Sequence, residues 1–336
     1  MMTEHAVPLG VLVAARFVVF LSHALLFGLV PIALLVLRPA FAAAAIEGVR
    51  RDLVARRAES LMMIALTVAL LGAALGLLNQ ALENANLRGV SLGLRSFEAV
   101  LATSPGQLHV LRAPLILALG VLLMGRGRSW LLAGTAGPEA AAPRRWWAVW
   151  LILAAALLAT VSRSGHAAGH EWQAVAVTND LCHLAAGAAW ITGIVGLTYL
   201  LPGAWRGRDE HAQLSLLAPA VDRFSRVAFW SIMVVVVTGV INSLLHLGAF
   251  GDLFGNLFDT DYGRSLVVKL SVFVFILALG GLNHFRLRMR LLQALETGEP
   301  TRHRRALLRN VAAELALGLI LIVATSFLVS FPPPPD

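Results

Sequence analysis

The amino-acid sequence predicts an all-α polytopic membrane protein with eight transmembrane helices and both termini on the periplasmic side. Three observations carry this expectation. Of 336 residues, 58% are hydrophobic and only 14% are charged, against about 25% charged in an ordinary globular chain. A soluble protein this apolar would have too little polar surface to cover itself. Eight stretches are long and apolar enough to cross a hydrocarbon core about 30 Å thick, and Lys and Arg cluster in alternate connections between them.

The first predicted span, 9–37, is long enough to tilt or project, and follows MMTEHAVPLG. That leader has no basic region and no small-residue cleavage site, so the first apolar run is expected to be retained. The second, third and fourth spans, 61–78, 108–124 and 146–162, are near the minimum length, whereas the fifth, 174–201, is again long. The sixth to eighth fall at 224–247, 265–285 and 311–331, and Pro332 to Pro335 ends the last of them. Small-residue runs, LGAALGLL (71–78) and AAGAAW (185–190), permit close helix approach. Residues 91–103, SLGLRSFEAVLAT, have the pattern of an interfacial helix on the outer surface.

Orientation follows from the cations. Connections 38–60, 125–145, 202–226 and 286–310 hold 20 Lys and Arg, while 79–107, 163–173 and 248–264 hold 4. The arginine-rich set is therefore predicted to be cytoplasmic. This placement also removes nucleic acid as the reason for the net charge of +8, because the cations sit in short loops. The single cysteine, Cys182, excludes an intrachain disulfide and a Cys-based cluster. No GxxxxGK[ST], HExxH or Ser–His–Asp arrangement occurs, which argues against an ATP-driven pump and against an enzyme.

Ionisable groups in lipid are costly and normally face a bundle interior or water. On the predicted outer half these are Arg16, His23, His109, Arg112, Asp180, His183, His246 and Lys269. The loop RSGHAAGHEW adds His166, His170 and Glu171, while His211, His284 and His303 lie among arginines at the other face. Asp180, His183, Gly187 and Trp190 follow helical spacing on one face. Asp180 is expected to orient His183 by holding one imidazole nitrogen, leaving the other as a ligand. Thr238, Asn242 and His246 form a second stripe, and the HxxxH spacing of His166 and His170 suits one metal ion if helical. Imidazoles without thiolates suit copper(II), zinc, nickel or haem iron. Interhelical hydrogen bonding by the histidines, and charge pairing of Asp180 with Lys269 or Arg112, are the purely structural alternatives.

The stretches SGHAAG (164–169), DLCHLAAGAAWITGIVGL (180–197), RFSRVAFWSIMVVVVTGVINS (223–243) and DYGRSLVVKLSVFVFILALGGLN (261–283) resemble, in that order, the copper-resistance D family of bacterial inner-membrane proteins. His166, His183, Trp190, Phe224, Ser225, Thr238, Gly239, Tyr262, Gly263 and Lys269 carry the likeness. The family often has Asn-Arg at the end of its seventh helix; here His284 follows Asn283. The chain accordingly divides into an N-terminal region, 1–145, with helices one to three, and a family-like region, 146–336, with helices four to eight. The resemblance implies copper uptake or tolerance in the inner membrane, with a periplasmic copper-binding protein as partner. On this reading His166, His170, His183 and His246 surround an outer copper site with His23 deeper, and Asp180, Asn242 and Trp190 support it.

Two alternatives remain at the level of sequence. One is a haem b or quinone-linked electron-transfer protein, since buried arginines suit haem propionates. His170 and His183 are 13 apart but about 140° apart around an ideal helix, and no second helix repeats the spacing, so the usual di-haem pattern is not met; a single haem between, for example, His23 and His183 stays open. The other is a docking platform for a periplasmic copper chaperone.

Overall fold

The computed structural model describes residues 8–46, 48–125, 144–165, 172–205, 207–247, 253–297 and 302–333. The predicted all-α class is what it shows. In chain order the helices are α1 (Leu9–Ile32), α2 (Arg38–Ala43), α3 (Gly48–Leu87), α4 (Leu94–Leu101), α5 (Ser104–Met124), α6 (Arg144–Ser164) and α7 (Gln173–Val195). They continue as α8 (Pro202–Trp205), α9 (Glu210–Leu247), α10 (Leu253–Asp259), α11 (Asp261–Leu282), α12 (Arg288–Thr297) and α13 (Arg302–Leu328). Three π-helical segments, Ala33–Leu37, Gly196–Leu200 and Asn283–Leu287, join α1 to α2, α7 towards α8, and α11 to α12.

Among the described residues eight continuous stretches are long and apolar enough to cross a membrane, matching the predicted number. Their ends reach further than apolarity alone suggested. Val49–Leu87 is one unbroken stretch, although only 61–78 was expected to be helical there. The flanking Arg, Glu, Gln, Leu and Ala residues are good helix formers, so the helix runs on where its lipid-compatible part stops. Arg50 and Arg57 donate from this extension to the carbonyls of Ala204 and Tyr199, at 3.4 and 2.9 Å. The start of α9 and all of α12 likewise occupy stretches expected to be loop. The expected amphipathic segment at 91–103 does contain a helix, α4, with Ser96 and Val100 buried.

The spans containing α1 and α7 are the central ones: 56% and 61% of their apolar windows are buried, against 11% for the spans of α9 and of α11. Helix α1 contacts α3, α6, α7 and α13, and α7 contacts α1, α6, α9 and α13. The α1–α7 contact is backbone-close, because a Cβ on Gly28 would stand 2.4 Å from the Ala188 carbonyl oxygen. Trp150 of α6 pins the same centre by donating from Nε1 to the Leu26 carbonyl at 2.8 Å. The largest apolar cluster gathers Ile32, Leu37, Phe41, Ile194, Leu200 and Leu217. Buried polar side chains such as His23, Arg112, Ser162 and Asn179 concentrate towards the opposite end.

Helix α11 begins with an N-cap: Thr260 accepts from the Gly263 amide at 2.9 Å, and a Cβ on Gly263 would lie 2.1 Å from the Asn256 carbonyl oxygen. Thr260→Ala is expected to cost about 1 kcal/mol. Thermal unfolding in mild detergent reads the loss, and Thr260→Ser is expected to keep most of the stability.

Candidate functional site

Two polar layers lie towards the end of the bundle where α7 and α11 begin, hereafter the histidine end. In the first, α9 meets α7. The Thr238 hydroxyl donates to the Val234 carbonyl at 2.6 Å, and Thr238 Oγ1 stands 2.9 Å from His183 Nδ1. With its one proton committed to backbone, the hydroxyl oxygen accepts a hydrogen bond from the imidazole, so Nδ1 carries the hydrogen. The Nε2 lone pair of His183 is thereby left for a ligand. Gly239 gives the ring its room: a Cβ there would be 3.4 Å from His183 Cε1. The Thr-Gly pair thus positions this histidine from both sides.

One turn further out, Asn242 accepts from Asn179 Nδ2 at 2.7 Å and donates to Asp180 Oδ1 at 3.4 Å. Asn179 also donates to the Thr238 carbonyl at 2.9 Å. Asp180 and Lys269 lie within electrostatic reach of each other, the charge pairing weighed as a structural alternative. The expected Asp180–His183 hydrogen bond is not the one made. His183 takes Thr238 of α9, whereas Asp180 is shared between Ser162 of α6, the charge of Lys269 on α11 and Asn242 of α9. His246 stands against Tyr262, with ring centroids 6.4 Å apart, so the Thr238, Asn242 and His246 stripe faces α7 and α11 as its spacing predicts. An open groove of about 520 Å³, lined by Ala174, Val175, Thr178, Asn179, Cys182 and Thr238, runs beside this layer.

The second layer is deeper and joins α1, α5 and α6. His23 is 1% exposed. Its Nδ1 lies 3.2 Å from Ser22 Oγ, whose proton goes to the Val19 carbonyl, so His23 Nε2 is the acceptor nitrogen. That atom is buried without a hydrogen-bond partner among the described residues. Gly28, five residues on, abuts Ala188 and Thr192, which sets His23 about half a helical turn deeper than His183. Arg112 lies within electrostatic reach of His23 and spends its donors elsewhere. They go to Thr160 Oγ1 at 2.9 Å, the Thr160 carbonyl at 3.1 Å, Ser164 Oγ at 2.7 Å and His109 Nδ1 at 2.8 Å. His109 Nδ1 must accept from that guanidinium. Arg16 is held by Ser330 at 2.6 Å.

Trp190 is buried 7 residues from His183 along α7, near Gly318 of α13, and does not adjoin the imidazole. His166, His170 and Glu171 lie outside the described residues. Among the described residues no group of three or more His, Cys, Asp or Glu side chains converges to hold a metal. What the arrangement offers is a file of single imidazole nitrogens in polar surroundings. The residues that sequence reading passed over are neutral: Asn179, Ser22, Thr160 and Ser164. Asn179 had a signal, four residues before His183 on the same helix face; Thr160 and Ser164 had none, because they meet Arg112 from a different helix.

Residues 2–174 match the family model described as the copper resistance protein D-like N-terminal domain, and residues 218–328 match that of copper resistance protein D. The chain belongs to the copper resistance protein D family. The first match extends the likeness across the N-terminal half, where the sequence motifs had been silent. Three relatives illustrate the breadth of the group. The copper transport protein CutJ of Bacillus subtilis is 29% identical over 71% of this chain and 39% of its own length. Copper resistance protein D of Pseudomonas syringae pv. tomato is 25% identical over 54% of this chain and 58% of its own. The inner membrane protein YebZ of Escherichia coli is 25% identical over 50% and 54%. The chain thus spans about two-fifths to three-fifths of the length of these curated relatives. No solved structure matches it.

Proposed function

We propose that this family member handles copper in the bacterial inner membrane, binding it through histidines at the periplasmic end and carrying it towards the cytoplasm. The observation that carries this reading is the pair His183 and His23, each held through Nδ1 by a hydroxyl that leaves Nε2 as an acceptor. An imidazole fixed in this way is the usual form of a metal-binding histidine. His246 with Asn242 lies at the mouth of the file, and His166 and His170 belong in the outer loop that meets the metal first. A periplasmic copper-binding protein is the partner that would load such a loop. Copper, rather than haem b, is the cargo assigned here, because both family descriptions and two of the three relatives are named for copper.

His183→Ala is expected to weaken copper binding by the purified full chain by at least about tenfold. Loss of an outer hydrogen bond to a metal ligand alone costs roughly 10–100-fold. The exposed His211→Ala serves as the control. Unchanged binding in His183→Ala would remove this reading. Vesicles containing the wild-type chain are expected to accumulate copper unaided, whereas a docking platform would bind it without accumulation.

A further inference from the structure

The polar residue least expected in this bundle lies in its apolar half. Glu314 of α13 is 5% exposed, and it accepts a short hydrogen bond from Asn283 Nδ2. The Asn283 Oδ1 in turn accepts from Asn310 Nδ2 at 3.1 Å. Asn283 is itself buried and opens the π segment Asn283–Leu287, in which the Arg288 amide reaches back to the Asn283 carbonyl. The inserted residue of a π-turn rotates side chains out of α-helical register and is frequent at functional sites. The π segments after α7 and after α11 both pack against α13, so Glu314 stands on a helix flanked by two such irregularities.

The chemistry of this cluster differs from that of the histidine end. It offers a carboxyl and two amides with no imidazole or thiolate, a donor set that does not favour copper, and its carboxyl is a group that can carry a proton. Among the described side chains, the ionisable groups on the elements around α13 at this end are Tyr199, His284, Arg286, Arg288 and Arg290, with Arg305 and Arg309 on α13 itself. Arg288 is committed to Asp222, donating from Nε at 2.9 Å. No cation pairs with Glu314 among the described residues. An unpaired carboxylate inside a membrane bundle carries a cost of several kcal/mol, which a bound proton removes.

Depth sets the group beyond the histidines, towards the arginine-rich end. Gly318 abuts Ile191 and Trp190, and Glu314 lies one further turn towards the arginine-rich end. It is therefore about three turns, roughly 16 Å, beyond His183.

We propose that Glu314, held by Asn283 whose amide is fixed in turn by Asn310, is a proton-binding site that releases its proton when a copper ion reaches its level. The exchange with copper rests on the copper reading above. In the step, the carboxyl O–H bond breaks, its electron pair stays on the carboxylate oxygen, and the proton leaves to water as the cation arrives. No electron is transferred.

Two measurements on the purified full-length chain test this. Infrared difference spectra between high and low pH are expected to contain a carboxylic-acid C=O band that Glu314→Gln removes and Glu314→Asp shifts. Addition of copper in unbuffered detergent solution, with a pH-sensitive dye, is expected to release fewer protons per bound copper from Glu314→Gln than from the wild type. Spectra identical in wild type and Glu314→Gln would overturn the proton site, and equal proton release would overturn the exchange. If the wild type bound no copper, the copper reading and the exchange would fall together. The infrared band would still decide the site, and Glu314→Asp keeps it decidable should the Gln variant not fold.

Discussion

Gly28→Ala is expected to prevent stable assembly of the bundle, although alanine favours a helix over glycine by about 1 kcal/mol. The added Cβ would stand 2.4 Å from the Ala188 carbonyl oxygen and 2.4 Å from Thr192 Oγ1. Neither neighbour can yield cheaply. The first is helical backbone, and the second is tied to the Ala24 carbonyl at 3.1 Å. Helices α1 and α7 would have to separate, and they are the two whose spans are most buried. Helix association in lipid rests on close van der Waals packing rather than on exclusion of water, so a gap between central helices is not repaid elsewhere. Overpacking of a core costs about 1–3 kcal/mol and sometimes more; a backbone clash at the bundle centre belongs at the upper end. The readout is the yield of monodisperse protein and its unfolding temperature in detergent. Gly187→Ala on the same α7 is the control, since a Cβ there meets nothing within 4 Å and propensity alone predicts a small gain. A normal unfolding temperature for Gly28→Ala would show that the α1–α7 contact is looser than these distances imply.

The contrast between these two glycines marks what could be read from the chain. Apolar length gave the eight spans, because crossing about 30 Å of hydrocarbon demands it. It could not give the true helix ends, since Arg50 and Arg57 continue α3 by propensity and find carbonyls on a neighbouring segment. Nor could it separate Gly28 from Gly187. Both sit in apolar runs, and only the bundle order puts Ala188 against one of them.

The site divides in the same way. Helical spacing correctly put Thr238, Asn242 and His246 on one face of α9, because that depends on one helix alone. The partner of Asp180 depends on two helices, and Asn242 rather than His183 takes it. Glu314 had a signal that was passed over: a lone carboxylate inside the run AAELALGL is a functional hypothesis by default in a membrane span. Its amide partners could not be foreseen, because Asn283 reaches α13 from a π segment that no sequence pattern announced.

Thr238→Val is expected to leave the bundle intact and still reduce copper affinity by about 10–100-fold, the range seen when a metal-binding histidine loses its outer hydrogen bond. Valine matches threonine in shape, so the close contact of His183 with Gly239 survives. What disappears is the oxygen that receives the Nδ1 proton at 2.9 Å. The imidazole is then free to rotate or to move its proton to Nε2, the nitrogen assigned to copper, and each change removes the lone pair from the path. Thr238→Ser restores an oxygen at the same place and is expected to recover most of the affinity. Because Thr238 also donates to the Val234 carbonyl at 2.6 Å, a general packing defect is the competing explanation, and the unfolding temperature separates the two. A valine variant with wild-type stability and wild-type copper affinity would mean that the Thr238 hydroxyl does not set the His183 ring for copper.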